Sequence, residues 1–334
     1  MTFARSDHFQ DPARDMPGSL LPSQDGLDVF IRHYATPNGQ AAEPERPAVL
    51  YVHGATFPSG LSIGYPFEGQ SWAGELAQAG LDVWALDFVG FGRSSRYPQQ
   101  DADPTGVSPL GRAAGPGGAG EQLLRVLEHV VEVRGGGQVS LLAHSWGTIA
   151  AGVAATTCPE LVDRLVLFGP ITARTSPDLP DTASIGGWYP LTVQAQYDRF
   201  IEDVPAGHPP ILTEQFDSWA RHWLATDPTS TERTPPSVRT PSGPRADISA
   251  AWSDDLAYDP TQIHAPTLII RGEWDSLCTD TDASGLFHAL TGTSLRRDVK
   301  ISGATHLMHL ESSRFALYRE TATFLLASDT PPRT

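Results

Sequence analysis

Val139-Ser140-Leu141-Leu142-Ala143-His144-Ser145-Trp146-Gly147-Thr148-Ile149-Ala150-Ala151-Gly152 is the stretch whose reading decides the fold of this 334-residue chain. An apolar run stops at a serine flanked by small residues, and a small-residue helical stretch follows at once. A sharp strand-to-helix turn of this kind lifts one hydroxyl out of a sheet and exposes it at the strand's C-terminal edge. The positions two before and two after the serine must be small, because strand and helix backbones nearly touch there. Ala143 and Gly147 meet that demand. Gly147 also tolerates backbone angles that a larger residue resists. A serine between small residues is most often an ordinary turn or helix cap, so its meaning depends on the partners found elsewhere.

Outward from the turn, short apolar runs alternate with helical spacing. Residues 27–34, 48–52, 83–86, 139–143, 165–168, 267–270 and 295–301 read as strands. An amphipathic helix is expected at 71–79, and Leu123, Leu127, Val130 and Val131 recur at helical spacing after a Gly-rich loop at 111–120. A closing helix would carry Phe315, Tyr318, Ala322 and Leu325 on one face. Such alternation implies a mostly parallel sheet covered by helices on both sides. Ligand chemistry in such sheets gathers beyond the C-terminal strand ends, and His53, Asp87, Ser145 and Asp275 all follow strands.

The alternation breaks over 171–259, which holds Trp188, Trp219, Trp223 and Trp252. We read this span as a mainly helical cap inserted between two halves of the core, 25–170 and 260–328, with residues 1–24 as a weakly ordered tail. Within it Phe216, Trp219, Ala220 and Trp223 suit one helix face, and 229–244 reads as an exposed Pro/Ser/Thr-rich loop. The alternative is a set of ordinary helices on the side of the sheet, with the aromatics merely core.

Composition narrows the function. A formal net charge of -16 disfavours a nucleic-acid partner. No apolar run is long enough to span a bilayer, and the polar first 18 residues lack a signal-peptide core, so a cytoplasmic protein is expected. Cys158 and Cys278 form no short motif and read as plain core residues. Neither a metal nor an organic cofactor is implied.

A serine hydroxyl is a weak nucleophile until a base takes its proton. His306, in the small-residue loop 302–306 after the last strand, is the best candidate. His144 should point away from Ser145, His309 reads as a packing or solvent-facing residue, and His53 as loop-shaping. A carboxylate must hold the imidazole in one tautomer. Asp275 follows the 267–271 strand, with Glu273 the fallback; Asp254 and Asp255 read as solvated charges. For a developing oxyanion the donors would be the backbone N–H groups of Trp146 and Ala55, with Thr56 the runner-up.

Five segments, taken together, resemble the α/β-hydrolase superfamily, and within it the capped serine hydrolases. They are His53-Gly54, Asp87-Phe88-Val89-Gly90-Phe91-Gly92-Arg93-Ser94, the Ser145 turn, Gly272-Glu273-Trp274-Asp275 and Gly303-Ala304-Thr305-His306. The resemblance spans nearly the whole chain and agrees with the order Ser, Asp, His. The 87–94 segment is read as shaping the rim. Two departures stand out. The usual first glycine of the elbow is Ala143, and the loop after 48–52 is neither the Gly-Gly form of carboxylesterases and lipases nor the form of proline iminopeptidases, although Ser145-Trp146-Gly147 is similar to the iminopeptidase elbow. Epoxide hydrolases and haloalkane dehalogenases are similar in the early loop but use an aspartate at the elbow, so Ser145 argues against those activities.

The resemblance implies acyl transfer without naming a substrate. The leading expectation is a serine hydrolase acting on an ester or lactone of a small to medium, apolar or aromatic small molecule. Thr56, Phe57, Trp188, Trp219 and Trp223 are the pocket candidates. The alternatives are an iminopeptidase-type amide hydrolase using Glu202, Glu214 or Asp217 to hold an amine, an acyltransferase or cyclase, and a non-enzymatic ligand-binding protein. A homodimer is possible on this reading.

Overall fold

The computed structural model describes residues 18–23, 25–34, 46–176, 186–208 and 213–327, with the side chains of 213 and 214 excepted. The tail up to residue 17 and the Glu214 side chain, both weighed above, lie outside the described residues.

Eight strands form the main sheet of the described residues: β1 (Gly18–Leu21), β2 (Val29–Tyr34), β3 (Ala48–Val52), β4 (Asp82–Asp87), β5 (Val139–His144), β6 (Val162–Phe168), β9 (Thr267–Gly272) and β10 (Arg296–Ile301). Their spatial order is β1-β2-β4-β3-β5-β6-β9-β10. β1 and β2 run antiparallel, as do β2 and β4. Every other pair is parallel. β5 thus lies at the middle, its Ala143 opposite Val52 on one side and Leu167 on the other.

Parallel strands buried on both faces need apolar residues at every position, and β3, β4 and β5 are buried throughout. Leu141 and Ala143 face one layer, with α2 (Ala119–Val133), α3 (Gly147–Thr157) and α7 (Asp280–Ala289); Leu142 faces the other, with α1 (Trp72–Gln78) and α8 (Arg314–Leu325). α1 begins where Ser71 accepts the N–H of Gly74 at 3.1 Å, a cap that satisfies one orphan donor.

Between β6 and β9 the chain leaves the sheet. This segment holds β7 (Trp188–Thr192), α4 (Val193–Ile201), α5 (Thr213–Leu224), β8 (Ser237–Pro241) and α6 (Gly243–Ala251). β7 and β8 pair antiparallel as a separate two-stranded sheet. α4 and α5 share an apolar cluster with Phe57, Leu61, Leu307 and Leu310, which come from the loops after β3 and β10.

Three expectations are corrected. Residues 18–21, read as tail, form an edge strand. Its side chains are mostly exposed and it is held by backbone pairing to β2, so it carries no apolar pattern. Of the exposed loop expected at 229–244, residues 229–236 are turns and a single 3-10 turn, mostly exposed or half-buried, but 237–244 is instead a buried strand followed by a helix start. Arg239 on β8 is buried because Asp227 accepts from its backbone N–H at 2.9 Å and its guanidinium at 3.1 Å. The face of α8 is shifted: Phe315 is 47% exposed, and Leu317, Tyr318, Thr321, Phe324 and Leu325 are buried. A further difference concerns α6, whose Ile248 and Ala251 pack with the main core and not with α4 and α5. No helix among the described residues is long and apolar enough to cross a membrane.

Candidate active site

Ser145 follows β5 directly and has φ 55°, a left-handed conformation rare outside glycine. Its N–H donates to the Phe168 carbonyl of β6 at 2.9 Å, and its own carbonyl accepts from Thr148 N–H at 2.9 Å. These bonds hold the strained residue between strand and helix. Gly147 is needed for space, not for an unusual φ: a Cβ there would overlap the His53 and Val52 carbonyl oxygens at the end of β3. The strain therefore sits on the serine itself, where the sequence reading had put backbone tolerance at Gly147.

His306 and Asp275 stand on the loops after β10 and β9. His306 Nδ1 lies 3.0 Å from both Asp275 carboxylate oxygens. A carboxylate only accepts, so Nδ1 carries the proton and Nε2 is left as the basic nitrogen. Asp275 is fixed in turn, its Oδ1 accepting the N–H groups of Leu277 and Cys278 at 3.0 Å each. Glu273, the fallback acid, is exposed and accepts the N–H of Gly303 at 2.9 Å, away from His306.

The serine and the imidazole belong to one rim. Gly169, next to the Phe168 that holds Ser145, has φ 52°, and a Cβ there would lie 2.8 Å from His306 Nδ1 and 3.1 Å from Asp275 Oδ2. No hydrogen bond joins Ser145 Oγ to His306 among the described residues, and the buried His306 Nε2 has no partner. An orphaned basic nitrogen on the rim that also bears the almost buried Ser145 (5% exposed) is a place where a proton can be received.

The loop after β3 passes over the elbow. A Cβ at Gly54 would lie 3.1 Å from Ser145 Cβ. The N–H groups of Ala55 and Trp146 have no acceptor among the described residues. Trp223 Nε1 donates to the Thr56 carbonyl at 3.1 Å and Trp219 Nε1 to the Leu61 carbonyl at 3.0 Å. Two of the tryptophans singled out from the sequence are thus buried struts of this loop. Phe57 packs edge-on to Trp219 at 5.2 Å. Trp188 stands apart: its indole donates to the Ala102 carbonyl at 3.1 Å, and it is not in the aromatic cluster around Phe57. Trp146 is fully buried, so its side chain is no pocket wall.

The remaining histidines divide. His53 donates from Nδ1 to the Gly54 carbonyl at 2.7 Å and accepts the Phe88 N–H on Nε2 at 3.0 Å, which is the loop-shaping part expected of it. His144, expected to point away from Ser145, packs against both His306 and His309. It is buried beside His306, ring centroids 5.0 Å apart, and its Nε2–H donates to the His306 carbonyl at 3.1 Å. Burial, then the neighbouring His309 and His306, holds its pKa well below the usual value. His309 is buried too, not solvent-facing, and burial pushes it down to about 3. Asp87 accepts from Ser59 N–H at 2.9 Å and Arg93 N–H at 3.1 Å, consistent with a rim-shaping segment. One group the sequence did not reveal is Glu311, buried, which accepts the N–H of Thr305 at 3.2 Å and its hydroxyl, bracing the loop that bears His306.

The sequence matches the alpha/beta hydrolase fold family over residues 47–313, most of the chain. The chain belongs to this family. No curated protein matches it in sequence. Among solved structures this α/β hydrolase is similar to the 2-hydroxy-6-oxo-6-phenylhexa-2,4-dienoate hydrolase of Rhodococcus sp. strain RHA1, at 15% identity and TM-score 0.61, covering 94% of this chain and 99% of that one. It is similar to the enol-lactonase of Burkholderia xenovorans LB400, at 14% identity and TM-score 0.60, covering 93% and 100%. It is also similar to the monoacylglycerol lipase of Paleococcus ferrophilus, at 20% identity and TM-score 0.56, covering 90% and 98%. At these identities the likeness is one of fold.

Proposed function

We propose that this α/β hydrolase is a serine hydrolase that cleaves an ester or lactone of a small to medium, apolar or aromatic substrate through an acyl-enzyme. The observation that carries the reading is the polarity of His306. Its Nδ1 is closed on Asp275 and its Nε2 is free, on the rim that bears the strained Ser145.

In this mechanism His306 Nε2 takes the Ser145 proton as Oγ bonds to the acyl carbon. The carbonyl π pair moves onto oxygen, where the Ala55 and Trp146 N–H groups meet it. The pair returns, the C–O bond to the alcohol breaks, and His306 gives the alcohol its proton. Water, deprotonated by His306, then attacks the acyl-enzyme; the acid departs and Ser145 recovers its proton. Asp275 stays ionised and stabilises the imidazolium. In this reading the segment between β6 and β9 acts as a cap, its buried Phe200, Phe216 and Trp219 sharing one apolar cluster with Phe57 of the loop after β3, a setting that favours such a substrate.

A panel of p-nitrophenyl esters against aminoacyl anilides, run on wild type and Ser145→Ala, tests this. Ester turnover with a burst of p-nitrophenol, lost in the variant, is expected. Equal turnover by the variant contradicts it.

One observation favours a second reading, an amine-bearing substrate cleaved at an amide. Glu202, which ends α4 in the segment between β6 and β9, is an acidic group, and partial burial raises its carboxyl. Anilide turnover that falls in Glu202→Gln, with ester turnover unchanged, would select it.

A further inference from the structure

Asp247 is a buried carboxylate on α6, far in sequence from the three side chains of the proposed triad. Its Oδ2 accepts the Trp146 indole N–H at 2.8 Å and the Ala113 backbone N–H at 2.7 Å. Its Oδ1 accepts from the Arg112 guanidinium. A carboxylate this deep persists only when its oxygens are met by donors. Here the donors come from the Gly-rich loop and from the residue directly after Ser145.

The Trp146 bond has a geometric consequence. The indole and the backbone N–H of residue 146 leave the same Cα. The ring is fully buried and edge-on to Phe88 at 5.3 Å, so it has little freedom to turn. Holding its Nε1 end fixes the rotation of the residue about the elbow. That rotation sets where the 146 N–H points, and an oxyanion donor counts only when its aim is fixed before the charge develops. Gly243 N–H also donates to the Leu110 carbonyl at 2.7 Å, so α6 itself is seated on the same loop.

We propose that Asp247 is a positioning residue for the oxyanion hole, acting through the side chain of Trp146. The proposal rests on the serine-hydrolase reading and adds that the segment inserted between β6 and β9 supplies part of the catalytic preorganisation. Asp247 touches no substrate.

The test compares Asp247→Leu, Asp247→Asn, Trp146→Phe and the Trp146→Phe/Asp247→Leu double variant. Each is normalised to the fraction of sites titrated by a fluorophosphonate and followed by thermal unfolding. The leucine removes the acceptors while keeping the volume. The asparagine keeps one carbonyl oxygen for Trp146 and Ala113, and the Arg112 side chain, 45% exposed, can turn to water. Expected are a kcat lower by about 10–100-fold in Asp247→Leu with KM within about threefold, since a misaimed donor costs less than the 10²–10³ of a deleted one. Affinity for a phenylboronic acid, which forms a tetrahedral adduct on the serine, should weaken in parallel. Asp247→Asn should restore most of the rate. Trp146→Phe should resemble Asp247→Leu, and the double variant should be no worse than either, because both break one linkage. Full kcat per titrated site in Asp247→Leu, or independent losses that multiply in the double variant, overturns the proposal. A wild type whose Ser145 takes no fluorophosphonate defeats the serine-hydrolase reading itself; a labelled wild type with either of the former results defeats only the positioning role of Asp247.

Discussion

At the scale of single residues, the site is defined by groups left unsatisfied or strained. Ser145 carries a positive φ, and among the described residues His306 Nε2 lacks a partner and the N–H groups of Ala55 and Trp146 lack an acceptor. Each costs stability, and such costs persist where function requires them. Gly169 shows how tightly the rim is fitted. In Gly169→Ala the new methyl would both force the left-handed φ on alanine and press on His306. We expect ester turnover to fall by about 10²-fold or more, as a misplacement of about 1 Å can, while the protein remains folded by circular dichroism. Gln196 on α4 is a contrasting case: it is fully buried and neither polar atom of its amide has a partner among the described residues. Gln196→Met removes two desolvated polar atoms at nearly constant volume, so the melting temperature should rise, by the equivalent of about 1–3 kcal/mol. A fall would mean that the amide is satisfied by water. The sequence made Ser145, Asp275 and His306 legible because each follows closely on a strand, Ser145 and His306 within small-residue turns. It could not reveal Asp247 or Glu311, whose importance lies in the donors they meet in the folded chain, the Trp146 indole for Asp247 and the Thr305 N–H for Glu311.

At the scale of elements, alternation of apolar runs and helical spacing was enough to locate the strands of the parallel sheet. A strand buried on both sides has to be apolar at each position, and that pattern needs no context. β1 and β8 escaped because their reasons for existing are not apolar periodicity. β1 is a backbone-paired edge, and β8 is held by charge. Asp227 accepts from the backbone and guanidinium of Arg239 and from Arg233 at 2.5 Å. Burial alone would raise its carboxyl, yet the hydrogen bonds from Arg239 hold it far below the usual carboxylate range. Removing one member leaves charges without their partner, which costs about 3–5 kcal/mol where the pair is buried. Asp227→Ala should therefore loosen the two-stranded β7–β8 sheet. Limited proteolysis is expected to cut between 226 and 241 in the variant first, with the sheet core resisting. Unchanged cleavage would show that this small sheet is held by other contacts.

At the scale of the whole molecule, segments far apart in sequence meet at one edge of the sheet, and the same convergence buries histidines. His53, His144 and His309 all have depressed pKa values, chiefly through burial. The unfolded chain therefore binds more protons than the folded one below about pH 6.5, the ordinary histidine value. Their contribution is present above that pH and is lost as pH falls toward the folded value, about 3 for His309. Each such group gives a slope of up to about 1.4 kcal/mol per pH unit in this window. Unfolding in urea from pH 7.5 to 4.5 should show falling stability, and His309→Phe, which keeps a ring stacked on Phe57, should flatten the fall. An unaltered slope in that variant would place the acid sensitivity elsewhere. The central claim concerns Ser145 alone, and the most direct measurement is mass spectrometry of peptides after reaction with a fluorophosphonate. Modification of the peptide bearing Ser145 in wild type, its loss in Ser145→Ala and its marked slowing in His306→Ala are predicted. Equal labelling of wild type and Ser145→Ala, or modification at another serine, would contradict the assignment.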